Sequence, residues 1–171
     1  MKRMKNTIIL IVGLTIILTG VFMVYGTSYY RSIKINNIST KKFENTLKDK
    51  LKSQSSIDIK RCTDFEWDRA YVFPPYHSSN DVYKKVGKEW TNYNTYIGYL
   101  LFHDMENKTV SEGQRLIVFT KNDNVILSKI YNLIDLPVIF QVPDYSFTST
   151  DSQFNVEGLA YSNDVKKLVL N

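Results

Sequence analysis

The chain of 171 residues is long enough for one folded domain, since domains commonly hold about 100 to 200 residues. Its 43% hydrophobic and 13% aromatic content, with no long run of Pro, Gly or like charge, excludes a disordered chain. The net charge of +5 does not describe a basic face: four of the 22 Lys and Arg (Lys2, Arg3, Lys5 and Arg31) lie in the first 31 residues without any acid, leaving 18 basic against 17 acidic residues, and no RNP-like, zinc-finger or helix-turn-helix pattern is present, so nucleic acid is not an expected partner.

The first element is Thr7-I-I-L-I-V-G-L-T-I-I-L-T-G-V-F-M-V-Tyr25, a run without a charged residue. At about 1.5 Å of rise per residue it can cross a hydrocarbon core of about 30 Å. Its β-branched residues are poor helix formers in water, but lipid forces every peptide group to bond internally and so forces a helix. Residues 1–6 read as a short cytoplasmic tail and 7–26 as a transmembrane signal-anchor helix. Tyr25, Tyr29 and Tyr30 fall where an interfacial aromatic belt is expected, with Arg31 and Lys34 beyond. The alternative is a cleaved signal peptide with Val24 and Gly26 at the cleavage site; such peptides have a shorter apolar core of about 7–15 residues, and the length here favours retention. Basic residues flank both ends, so charge does not orient the helix. A short tail before one apolar helix is the arrangement of an uncleaved export signal, which predicts single-pass anchoring in a bacterial cell membrane with residues 32–171 outside the cytoplasm.

Residues 27–40 read as a polar, extended linker and 41–171 as the extracytoplasmic domain. Ser39 is placed to cap a helix, with Ile38 facing Phe43 as a hydrophobic staple, and Phe43, Leu47 and Leu51 make one apolar stripe. The period then changes to two, with Ile57 and Ile59 alternating with Asp58 and Lys60 as in a half-buried strand. A second strand is expected from about Trp67 to the stop at Pro74-Pro75, then a short helix capped by Ser78 or Ser79, with Val82, Val86 and Trp90 on one face. Tyr96-I-G-Y-L-L-F-His103, Gln114-R-L-I-V-F-Thr120 and Val125-I-L-S-K-I-Tyr131 all read as strands, the last two joined by the hairpin-forming Lys121-N-D-Asn124. Leu116-I-V-Phe119 is apolar on both faces and belongs at the centre of the sheet. Pro137 and Pro143 bracket an edge segment, and residues 145–171 allow either one more strand pair or a loose tail.

The stretch Asp64-F-E-W-D-R-A-Y-V-F-P-P-Tyr76 combines three carboxylates with five aromatics. On a strand, Trp67, Arg69, Tyr71 and Phe73 would share one face and Asp68, Ala70 and Val72 the other. Asp64, Glu66 and Asp68 would converge only on a strand reaching back to Asp64, and no glycine-turned acidic loop completes a calcium site, so they read as a solvated face pairing with Arg61 or Arg69 rather than a metal site. The string Trp67-D-x-x-Tyr71-x-Phe73-x-Pro75-Tyr76, with the following short helix and the L-I-V-F-T-K-N-D-N-V hairpin, resembles an uncharacterised group of short bacterial proteins that are exported as lipoproteins or held by one N-terminal helix. The likeness spans residues 60–131 and implies export and membrane attachment but no activity. No lipobox cysteine is present, which fits a helical anchor.

Cys62 is the only cysteine, so this chain forms no internal disulfide and no multi-cysteine metal site. Neither His77, expected to be exposed in a turn, nor His103, expected on a strand face with Ile97, Tyr99 and Leu101, belongs to a metalloprotease, nucleophile-elbow or Walker pattern. No catalytic residue, metal or small-molecule cofactor is assigned. Tyr93, Tyr96 and Tyr99, with Tyr83 and Trp90, form either a stacking surface or part of an aromatic core. The expectation is thus an α+β protein: a transmembrane helix, then a small domain with an antiparallel sheet covered by two helices. Its expected role is a binding module for another envelope protein, with Tyr76, His77, Tyr93 and Tyr96 as candidate contacts. A small hydrolase using Cys62 or His77, or an immunity or inhibitor protein, is the alternative.

Overall fold

A computed structural model describes residues 2–37, 39–106, 110–159 and 162–171. The chain is α+β, and its first element is a helix, α1 (Lys2–Ile33), of 32 residues and therefore about 48 Å long. Residues Ile9–Ile33 are long and apolar enough to span a membrane, and the most apolar part of that stretch is not covered by the rest of the chain. The helix includes residues 2–6, read as a tail, and continues seven residues beyond Gly26 into the expected linker. Thr27 allows this because its Oγ1 donates to the carbonyl of Met23, 2.7 Å away, turning a polar side chain back onto its own helix.

Helix α2 (Thr40–Leu51) buries the stripe Phe43, Leu47 and Leu51. Ser39 precedes it without a side-chain capping bond; the staple from Ile38 lies outside the described residues. Strand β1 (Ser56–Asp58) keeps the expected alternation for three residues only, because the Asp58 carboxylate accepts from Lys60 N and starts a 3-10 turn over Ile59–Cys62. Strand β2 (Arg69–Phe73) begins after Trp67 and ends at the double proline. Helix α3 (Ser79–Val86) is capped by Ser78, whose hydroxyl accepts from Asp81 N, and closes on Gly87 at φ 82°.

Tyr96–Glu106 is a helix, α4, and not a strand. Thr95 starts it by accepting from Gly98 N at 3.0 Å. Strands β3 (Gln114–Lys121) and β4 (Asn124–Asn132) form the expected hairpin; Asn122 and Asp123 both have positive φ, 48° and 59°, as a two-residue turn that follows strand twist requires. Strands β5 (Val138–Gln141), β6 (Ser146–Thr148), β7 (Gln153–Leu159) and β8 (Ser162–Leu170) complete the chain, so three strands lie within the described part of residues 145–171.

These strands build two sheets where one was expected, in the orders β4-β3-β2-β6 and β1-β7-β8-β5, antiparallel throughout except for the parallel pair β5 and β8. β3 is interior and β5 is an edge, as expected. The first sheet is buried on both faces. Ala70, Val72, Ile117 and Phe119 point into the larger core with α2 and the second sheet, while Phe73, Leu116 and Val118 point into a smaller core with Val82 and Trp90. The stretch from Trp67 to Phe73 therefore serves two cores. Trp67 joins Ala70 and Val72, with its ring edge-on to Phe119 and Phe147 at 5.1 and 5.7 Å, rather than Tyr71 and Phe73. It precedes the strand and escapes the period-two alternation.

Candidate functional site

Two places on the domain combine polar geometry with exposed apolar surface. The first is the junction of α1 with the domain. Gly26 lets α4 approach so closely that a Cβ there would lie 1.8 Å from the Tyr96 hydroxyl. One turn later Tyr30 is buried, its ring 5.9 Å from that of Tyr96 and 5.8 Å from that of Tyr99, and its hydroxyl donates to the carbonyl of Tyr93 at 2.7 Å. Tyr29 donates to Glu89 Oε2 at 2.9 Å, and the other oxygen of Glu89 lies 2.7 Å from His103 Nε2. The His103 ring packs on Tyr99 at 4.6 Å, and its buried Nδ1 has no hydrogen-bond partner among the described residues. Nε2, facing the carboxylate, is the donor of the pair with Glu89. Main-chain bonds complete the junction: Thr91 N donates to Ile33 O at 2.9 Å and Ile35 N to Thr91 O at 3.0 Å.

Tyr96, and Tyr93 through its carbonyl, both expected to contact a partner, are thus engaged with the chain's own first helix. Tyr83 and Trp90 pack edge to face at 4.8 Å over the smaller core. The opposite side of α4 is different. Ile97, Leu100 and Leu101 recur at i, i+3 and i+4 and are exposed, as is Phe102.

The second place is a cleft of about 300 Å³ between the two sheets, lined among others by Phe73, Arg115, Tyr131, Phe140, Tyr145 and Lys167. Arg115 Nη1 donates to the carbonyl of Gln114 at 2.7 Å, while its buried Nε has no partner among the described residues. Lys167 lies 3.6 Å from Glu157. Burial pushes the Tyr131 phenol far above its ordinary range, so it stays a neutral donor, to the carbonyl of Val138 at 3.3 Å. Asp144 and Tyr145, on the rim, both have left-handed backbones, φ 51° and 57°, and Lys85 pairs with Asp144. Two cations among aromatic walls suit an acidic side chain or chain terminus.

Tyr76 and His77 sit beside this rim. Tyr76 has φ 69° and is 73% exposed, so it projects outward and does not fold over the turn. His77 was expected to be exposed; it is half-buried, its Nδ1 3.2 Å from the carbonyl of Pro74 and its ring edge-on to Tyr145 at 5.0 Å. Cys62 is buried in the larger core, donates weakly to the Asp58 carbonyl at 3.4 Å, and has its thiol pushed up by burial. It makes no contact with His77 among the described residues. The three carboxylates diverge. Asp64 pairs with Lys42 at 3.0 Å, Glu66 pairs with Lys121, and Asp68 accepts from Asn122 N at 2.7 Å, while Arg61 pairs with Asp58. Hydrogen bonds from Lys42 and Lys121 hold the Asp64 and Glu66 carboxyls below their usual values.

Glu89, Thr91 and Arg115, which with Gly26 carry the two places, escaped sequence reading, and Gly26 was read as part of a cleavage site. The available signals were a glycine in the apolar run beside the first interfacial tyrosines, and a threonine three residues before Gly98. Comparison with family models, with characterised proteins and with solved structures finds no match for this chain.

Proposed function

We propose that the chain is a single-pass membrane protein whose α+β domain stands on the outer face of a bacterial membrane and binds another envelope protein. The observation that carries this reading is the bare apolar surface of α1 combined with the docking of its last two turns into the domain. A helix uncovered on every side has no place in water, and one fixed at its end to a folded body is built to hold that body at a surface. The resemblance of the Trp67 to Tyr76 string to exported bacterial proteins points the same way.

The binding role is supported by the cleft between the sheets, where Arg115 and Lys167 face an aromatic rim that includes Tyr145, next to Tyr76 and His77. The small-hydrolase alternative is weakened by the burial of Cys62 and its separation from His77. Two measurements test the proposal. The intact chain should resist carbonate extraction from membranes, and protease added outside spheroplasts should digest the domain; recovery of the uncut chain in the soluble fraction, or protection of the domain, overturns the reading. Capture with the intact chain as bait should then enrich an envelope protein that an Arg115→Glu variant fails to retain.

A further inference from the structure

We infer that α4 is a second lipid contact, its stripe of Ile97, Leu100 and Leu101 lying in the interfacial layer of the leaflet from which α1 emerges. This rests on the reading that α1 spans the bilayer. The helix has two faces with separate duties. Tyr96, Tyr99 and His103 at i, i+3 and i+7 face α1 and Glu89, whereas Ile97 and Leu101 are 64% and 67% exposed and Leu100 is 49% exposed. From Tyr96 to Phe102 there is no charged residue. An apolar face of this kind marks an interaction surface.

The position of α4 along α1 selects lipid as the occupant. A hydrocarbon core takes about 20 residues of helix, which from the start of the uncharged run at Thr7 reaches Gly26. Tyr96 meets α1 at Gly26 and Tyr99 meets it at Tyr30, so α4 sits within about 6 Å of where the anchor leaves the hydrocarbon. Because α4 packs directly on α1, its outer stripe continues the bare surface of the spanning helix, and the layer that solvates one reaches the other. Tyr25, 75% exposed on α1 at the same level, Tyr93 just before α4 and Tyr96 at its first position are the side chains an interface favours, an apolar ring with a polar tip. On α4 itself, His103 Nε2 meets Glu89 and the carbonyl of Phe102 accepts from Tyr93 Oη at 2.7 Å, both from within the domain.

The test uses the full chain in phosphatidylcholine/phosphatidylglycerol vesicles, on a Cys62→Ala background, with an environment-sensitive fluorophore on one introduced cysteine: Leu14→Cys in the anchor, Leu101→Cys or Ile97→Cys on α4, or Lys52→Cys at the far end of α2. Nitroxide lipids and aqueous iodide serve as quenchers, and a thermal melt verifies that each variant is folded. The expected result is deep nitroxide quenching at position 14, shallow nitroxide quenching at 97 and 101 with at least fivefold less iodide quenching than at 52, and iodide quenching alone at 52. Position 14 in lipid with 97 and 101 as open to iodide as 52 overturns the inference and leaves the anchor standing. Positions 97 and 101 shielded from iodide but untouched by nitroxide mean a protein cover, a second copy or a partner, and overturn it too. Position 14 outside lipid removes the anchor and the inference together.

Discussion

Cys62 illustrates how burial decides the chemistry of a single side chain. The thiol is a nucleophile only as thiolate, and its place in the larger core, 3% exposed, disfavours that charge. In the folded protein Cys62 should react with a thiol reagent at pH 8 at least a hundredfold more slowly than after denaturation; equal rates would contradict the burial described. The sign of the accompanying pH effect follows. The folded value lies above the ordinary thiol value of 9.0, so the associated stability is complete below about pH 9 and declines as pH rises through the folded value. At the junction, Tyr30→Phe removes one hydroxyl that donates to Tyr93 O while keeping the ring between Tyr96 and Tyr99. The expected cost is about 1 kcal/mol, measured by denaturant unfolding in detergent. At this scale Tyr93 and Tyr96, read as candidate contacts for a partner, gather with Tyr99 around Tyr30, Tyr93 through its carbonyl. Glu89 was not legible, because nothing local distinguishes an acid that will accept from a tyrosine 60 residues earlier.

Elements with a clear period or a defined turn chemistry were legible, and those lacking both were not. The Phe43, Leu47 and Leu51 stripe is buried as a helical face, and Asn122-Asp123 forms the turn that two-residue hairpins use. That turn yields a prediction. Asp123 is a non-glycine residue at φ 59° whose side chain takes no part in the bond from Asn122 N to Asp68, so Asp123→Gly should stabilise the domain by up to about 1 kcal/mol, read as a raised midpoint in urea. A lowered midpoint would show that the carboxylate has an undetected role. In contrast, Tyr96 to His103 is a continuous apolar run, for which strand and buried helix look alike; the Thr95 cap was the arbiter. Of the linker read over 27–40, residues 27–33 are helical because Thr27 and Ser32 bond back to the helix, to Met23 O and Tyr29 O, instead of leaving it. Of the larger candidate site, Tyr76 and His77 were legible as turn residues beside a proline stop, whereas the cleft they border needs Arg115 and Lys167 from different sheets.

The whole molecule is closed by pairings of great sequence separation. β1 finds β7 with Ser56 opposite Asn155, and β2 finds β6 with Arg69 opposite Thr148, which explains why a second sheet could not be read from local pattern. Such topology makes loop closure precede most of the stabilising contacts. Refolding of the chain in micelles, followed by the fluorescence of the buried Trp67 and Trp90, should therefore take milliseconds to seconds rather than microseconds. A microsecond phase carrying the full amplitude would contradict this. The continuous helix has one further consequence. With α1 helical through Ile33 and its next residues stitched to Thr91, the domain is mounted as on a stiff mast rather than a tether. In the proposed membrane setting such a mount would not sweep a volume in search of a binding partner: its clearance from the bilayer would be set once, and encounters would depend on lateral drift within a thin slab parallel to the membrane. A partner whose docking face lay outside that slab would then be excluded by altitude, whatever its affinity.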